Sequence, residues 1–86
     1  APRRGRRVLV ADDNRDAADS LGLILGLSGH EVQVAHGGRE ALAIAATFRP
    51  EVVLLDIGMP DMNGYDVARA LRAAPGGDGL QLIALT

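Results

Sequence analysis

Three apolar runs that do not alternate with polar residues, at 8–11, 52–55 and 80–85, confine this chain to a small set of folds. Each has the length of a strand, and the last is broken only by Gln81. Each also stops at a polar side chain: Asp12 and Asp13 after the first, Asp56 after the second, Thr86 after the third. A strand with no polar face must be covered on both sides. This predicts a parallel sheet sandwiched between helices.

The intervening segments read as helices. Behind Asn14, a side chain suited to an N-cap, Ala17, Leu21, Ile24 and Leu25 fall on one helical face, and Ser28 and Gly29 supply a stop. Residues 31–35 alternate polar and apolar, which predicts a strand nearer the sheet edge. Ala41, Ile44, Ala45 and Phe48 mark a second helix that closes before Pro50. A third spans about Gly64 to Ala73 with Val67, Ala68 and Leu71 inward, followed by a turn-rich loop at 75–79. The order β-α-β-α-β-α-β, with right-handed crossovers, predicts a doubly wound, mainly parallel α/β sheet.

Composition narrows the function classes. The 86 residues suffice for one small domain, and with one Phe, one Tyr and no Trp its core must be aliphatic. The absence of cysteine excludes disulfides, thiolate catalysis and Cys-based zinc sites. A net charge of −2 makes no case for nucleic acid or an anionic membrane as partner of this domain. No apolar stretch approaches the roughly 20 residues that cross a bilayer, so a cytoplasmic location is expected. Arg3, Arg4, Arg6 and Arg7 crowd the start of the chain. A basic arm for nucleic acid would use such a cluster. Without interleaved aromatics it reads instead as a solvated linker at 1–7, leading into a domain at 8–86.

The chemistry sits at the ends of the apolar runs. In open α/β sheets ligands bind beyond the carboxyl ends of the strands, where strand order reverses. If the first and third strands are neighbours, Asp12, Asp13 and Asp56 converge there, and so close a set of like charges calls for a counter-ion. A hard divalent cation such as Mg²⁺ meets that need with oxygen ligands and lets a carboxylate serve as nucleophile toward a phosphoryl donor. Thr86 would offer a hydroxyl to the transferred group. A single Asp after a strand is most often a turn or cap residue. Two strands ending in acid, and a third ending in a hydroxyl, are harder to explain that way.

These residues lie in a pattern that resembles the receiver domains of bacterial response regulators. The string Val8-Leu9-Val10-Ala11-Asp12-Asp13-Asn14 is similar to the first strand and acidic pair of that family. Val53-Leu54-Leu55-Asp56-Ile57-Gly58-Met59-Pro60-Asp61-Met62-Asn63-Gly64-Tyr65 resembles its phosphoacceptor strand, and Ala84-Leu85-Thr86 its strand ending in a hydroxyl. The resemblance implies a flavodoxin-like sheet of order 2-1-3-4. It implies Asp56 as acceptor of a phosphoryl group from a histidine kinase or a phosphotransfer domain. It further implies Mg²⁺ held by Asp13, Asp56 and the backbone carbonyl of Gly58, with Asp12 acting through a bound water. Thr86 would move toward the phosphoryl oxygens, and Met59, Pro60 and Gly64 would shape the adjoining loop. Gly58 has no side chain with which to position a hydrolytic water.

The chain also departs from the pattern. The family carries a fifth strand, two further helices and a phosphate-binding lysine beyond the position of Thr86, and this sequence has no lysine at all. The fourth strand would then present an unpaired edge, and the first helix would lose a neighbour. The expectation is a longer parent or a sheet completed by another chain, as a homo-oligomer or strand-swapped partner. The arginine-rich lead-in and Asn14 are similar to receivers attached to hybrid sensor kinases. Two other functions compete. A degenerate, phosphate-independent interaction module would keep the fold without the chemistry. A phosphohydrolase of the haloacid dehalogenase type would need an aspartate two positions after its nucleophile, where this chain has Gly58 after Asp56.

Overall fold

The computed structural model describes residues 5–85. Four strands and three helices alternate: β1 (Arg7–Ala11), α1 (Arg15–Leu27), β2 (Glu31–Ala35), α2 (Gly38–Phe48), β3 (Val52–Asp56), α3 (Gly64–Ala73) and β4 (Gln81–Leu85). A short 3₁₀ turn, Gly77–Gly79, occupies the turn-rich loop before β4. The strands form one parallel sheet in the order β2-β1-β3-β4. The doubly wound, flavodoxin-like arrangement is the one expected.

Alternation along β1 and β3 divides the core between the two faces of the sheet. Leu9, Ala11, Val53 and Leu55 point to the side covered by α2 and α3, where they meet Ala41, Val67 and Leu71. Val8, Val10 and Val52 point to the other side and meet Ala18 of α1. Leu9, Val10, Val53 and Val67 lose essentially all contact with water. Each such aliphatic side chain contributes about 1.5–3 kcal/mol relative to exposure.

Three expectations need correction. The inward face of α1 is Ala18, Leu21, Gly22 and Leu25, while Ala17 is exposed and Ile24 is 59% exposed. A Cβ on Gly22 would stand 2.7 Å from Val34 Cγ2, so this glycine lets α1 lie close on the sheet and rotates the buried stripe toward it. Next, β4 is not covered on both faces: Gln81, Ile83 and Ala84 are exposed. Among the described residues β4 pairs only with β3, which makes its apolar run an edge strand. Finally, β1 begins at Arg7 rather than Val8, because Arg7 stands in register with Glu31. The arginines at 3 and 4 lie outside the described residues.

Candidate functional site

The register of β1 and β3 brings the acids together. Ala11 stands opposite Leu55, so the chain leaves β1 into Asp12 and Asp13 beside the point where β3 ends in Asp56. One carboxylate oxygen from each of Asp12, Asp13 and Asp56 lies within 4.8 Å of the other two. The Asp12 amide donates to the Ala35 carbonyl at 3.0 Å, which carries the β1–β2 ladder one step further and holds the backbone where the acids begin.

The local donors are few. Asp12 Oδ1 accepts the Asn14 amide at 3.0 Å, and Asp56 Oδ1 accepts the Gly58 amide at 3.2 Å. Asn14 turns the chain into α1, its Oδ1 accepting the Ala17 amide at 3.1 Å as the N-cap expected. Asp13 is exposed, yet its carboxyl is pushed above the ordinary carboxylate value. Loss of surrounding water is the first cause. A side-chain hydrogen bond with Asp56 and repulsion from Asp56 and Asp12 add to it, against the pull of its own backbone amide. Three acids sharing one rim without a basic side chain among them is the arrangement a hard cation relieves. An all-oxygen set of two or three carboxylates fits Mg²⁺, which would also keep waters.

The loop from β3 to α3 walls one side of this pocket. Its neck is closed by the Gly64 amide donating to the Ile57 carbonyl at 2.9 Å. A Cβ on Gly64 would stand 2.7 Å from Ile57 Cα and 2.8 Å from the Asp56 carbonyl oxygen, so only glycine permits this approach. Met59 is 4% exposed and anchors the loop in the larger core, while Pro60 and Gly58 are exposed. Asn63 caps α3 by accepting the Asp66 amide at 3.0 Å. Thr86 lies outside the described residues, directly after the end of β4.

Two neighbours of the pocket carry no local sequence signal. Asp61, at the tip of the loop, accepts the backbone amides of Gly38 and Arg39 at 2.9 and 3.1 Å. These donors hold its carboxyl below the ordinary value. His36 follows β2 and binds α1 through both ring nitrogens: Nε2 lies 2.9 Å from Asp19 Oδ1, and Nδ1 lies 3.3 Å from Arg15 Nη1. Arginine can only donate and a carboxylate only accept, so the ring hydrogen sits on Nε2. Both contacts join residues far apart in sequence, and only the folded register reveals them.

A parallel sheet of this order with an acidic triad at the reversal between β1 and β3 is the architecture of a receiver-type α/β domain. The chain belongs to the response regulator receiver domain family, whose model matches residues 8–86. It is 44% identical over 80 residues to the response regulator MprA of Mycolicibacterium vanbaalenii, covering 93% of this chain and 34% of that protein. The same-named protein of Mycobacterium avium is 42% identical over 80 residues, with the same coverage. The chain therefore spans about a third of the length of the curated relatives it matches. Among solved structures, the chemotaxis response regulator CheY4 of Vibrio cholerae superimposes with a TM-score of 0.88 at 31% identity, over 93% of this chain and 67% of that one. The signal receiver domain of a signal transduction histidine kinase from Syntrophus aciditrophicus gives 0.85 at 30% identity, over 95% and 62%. Response regulator receivers belong to two-component systems, and this chain is a receiver domain of that kind.

Proposed function

We propose that Asp56 accepts a phosphoryl group from a phosphohistidine on a sensor kinase or a histidine phosphotransfer domain. A carboxylate oxygen of Asp56 attacks phosphorus and an O–P bond forms. The P–N bond to the donor imidazole breaks, and its electron pair leaves with the imidazole. Asp12, Asp13, Asp56 and the Gly58 carbonyl would hold Mg²⁺, which when bound supplies positive charge beside the incoming phosphoryl oxygens. The observation that carries this reading is the convergence of three carboxylates at the carboxyl end of β1 and β3, one of them held above its ordinary value.

The residues of the chain account for the rest of the step. Asp56 ends a strand in which Val52, Val53 and Leu55 are buried, so its backbone is held at the rim. The Gly58 amide donates to Oδ1 and so orients the Asp56 carboxylate. Phosphorylation adds about −1.5 to −2 charges and three acceptor oxygens at this rim. Thr86, next after β4, is placed in sequence to donate its hydroxyl to one of them. Such a charge change can bias a two-state element whose states differ by a few kcal/mol. The location we assign is cytoplasmic. Among the described residues, no helix is long and apolar enough to cross a membrane.

The test is an intact-mass spectrum after incubation with Mg²⁺ and acetyl phosphate or phosphoramidate. The expected result is one added phosphoryl group, lost in Asp56→Asn while the far-ultraviolet circular dichroism is retained. Uptake that persists in Asp56→Asn would place the nucleophile elsewhere. No uptake by an intact fold would favour the phosphate-independent interaction module.

A further inference from the structure

We infer that Asp61 is a positioning residue for the pocket: by capping α2 from the far side of the site, it fixes the loop that carries Gly58. The inference rests on the metal site proposed above and assigns a role to a residue outside it.

Helix α2 begins without a side-chain cap of its own, because its N-cap residue is Gly37. The first amides of a helix have no partner within it and need an acceptor. Asp61 provides both oxygens, Oδ1 to Gly38 and Oδ2 to Arg39, from 23 and 22 residues away in sequence. The helix dipole favours a carboxylate at this place, in keeping with its lowered proton affinity.

The surface that receives Asp61 has been cleared of side chains. A Cβ on Gly37 would lie 3.2 Å from each Asp61 oxygen. One on Gly38 would lie 2.8 Å from Met62 Cβ, 2.8 Å from Val67 Cγ2 and 2.9 Å from the Met62 carbonyl oxygen. The loop tip thus sits directly on the helix backbone, and a methyl group at position 38 would push it away. Between the neck at Ile57–Gly64 and the tip at Asp61, the loop is pinned at both ends, with Gly58 in between. Gly58 itself is exposed, and a Cβ placed on it would touch nothing within 4 Å, so its own packing does not hold it. Its placement rests on its amide bond to Asp56 Oδ1, on the buried Met59 beside it and on the two pins that hold the rest of the loop.

The experiment uses four variants of the same chain: Asp61→Ala, Asp61→Asn, Gly38→Ala and, as a charge control remote from the site, Asp78→Asn. Amide hydrogen exchange without metal reads the clamp, and calorimetric Mg²⁺ titration reads its consequence. Asp61→Ala should speed exchange at 57–62 and at the first turn of α2 by about tenfold or more, leaving the β1 and β3 amides protected. Mg²⁺ affinity should fall about three- to tenfold in Asp61→Ala and Gly38→Ala, less in Asp61→Asn, which keeps one acceptor oxygen, and not in Asp78→Asn. The range sits at or below the 10–100-fold typical of residues behind a metal ligand. Gly38→Ala keeps every charge, so a loss there separates position from electrostatics. Unchanged loop exchange in Asp61→Ala overturns the clamp whatever the metal does. A loosened loop with unchanged Mg²⁺ affinity overturns the positioning role and leaves the site standing. An unsubstituted chain that binds no Mg²⁺ overturns the metal site and the positioning role together.

Discussion

The acidic pocket and the tip of the loop beside it hold carboxylates in opposite electrostatic states. Asp13 loses surrounding water beside acid neighbours and is pushed toward protonation, whereas Asp61 has two backbone amides and is held toward the ionised form. The two residues belong to the same end of the sheet, and the difference lies in what surrounds them. A carboxylate that serves the fold is given donors. A set of carboxylates left facing one another costs the fold something and is expected where a ligand repays it. The contrast separates the candidate site from its scaffold without reference to any relative.

The largest effect should come from removing one pocket acid. Asp13→Asn relieves repulsion among Asp12, Asp13 and Asp56, so the metal-free protein should become more stable, with a higher midpoint in urea. The same change should weaken Mg²⁺ binding by about 100-fold or more, the upper end of what even an outer-shell partner costs. Calorimetric titration and urea unfolding of one sample measure both. A variant that loses stability, or that binds Mg²⁺ as before, would dissolve the contrast between the pocket and the tip.

A second test uses pH. Asp61 has a lowered folded value, so its contribution is complete above the ordinary carboxylate range and fades as pH falls through the lowered value. Asp13 has a raised folded value, so the folded state binds protons more readily and stability declines as pH rises from the ordinary carboxylate value through the raised one. In urea unfolding of the metal-free chain across the acid range, Asp61→Asn should flatten the low-pH flank and Asp13→Asn should remove the decline above it. Saturating Mg²⁺ should reverse the second slope, because the cation binds the ionised acids.

Much of this was legible in the sequence, for physical reasons that can be named. The runs at 8–11 and 52–55 predicted buried parallel strands because a strand covered on both faces has no polar alternation to hide. The acids were legible because each followed such a run, and a doubly wound sheet gathers strand ends at one rim. The helix face of α1 was misread at Ala17 and Ile24. A hydrophobic count gives no weight to Gly22, whose missing side chain sets how close the helix lies. The run at 80–85 looked buried, but apolar residues alone do not say whether a strand has two neighbours. In the sequence Asp61 is one polar residue of a loop motif, with nothing local to mark it as a cap. Its partners, Gly38 and Arg39, are defined by how the loop after β3 folds back over α2.

The smallest effect tests whether the loop's two helix caps differ in kind. Asn63 caps the helix that follows it in sequence, accepting the Asp66 amide at 3.0 Å, while Asp61 caps a helix across the site. Losing a local cap removes one satisfied donor from the first turn of α3 and costs about 0.5–2 kcal/mol. Asn63→Ala should therefore lower stability by about 1 kcal/mol in urea unfolding. Its Mg²⁺ affinity should stay within about twofold of the unsubstituted chain, since the neck bond from Gly64 to Ile57 and the tip bond from Asp61 both survive. That factor of two corresponds to about 0.4 kcal/mol, small beside the tenfold step of 1.4 kcal/mol. An affinity loss in Asn63→Ala as large as in Asp61→Ala would mean that any loosening of the loop disturbs the site. The distinction between the cap that serves one helix and the cap that positions the pocket would then fall.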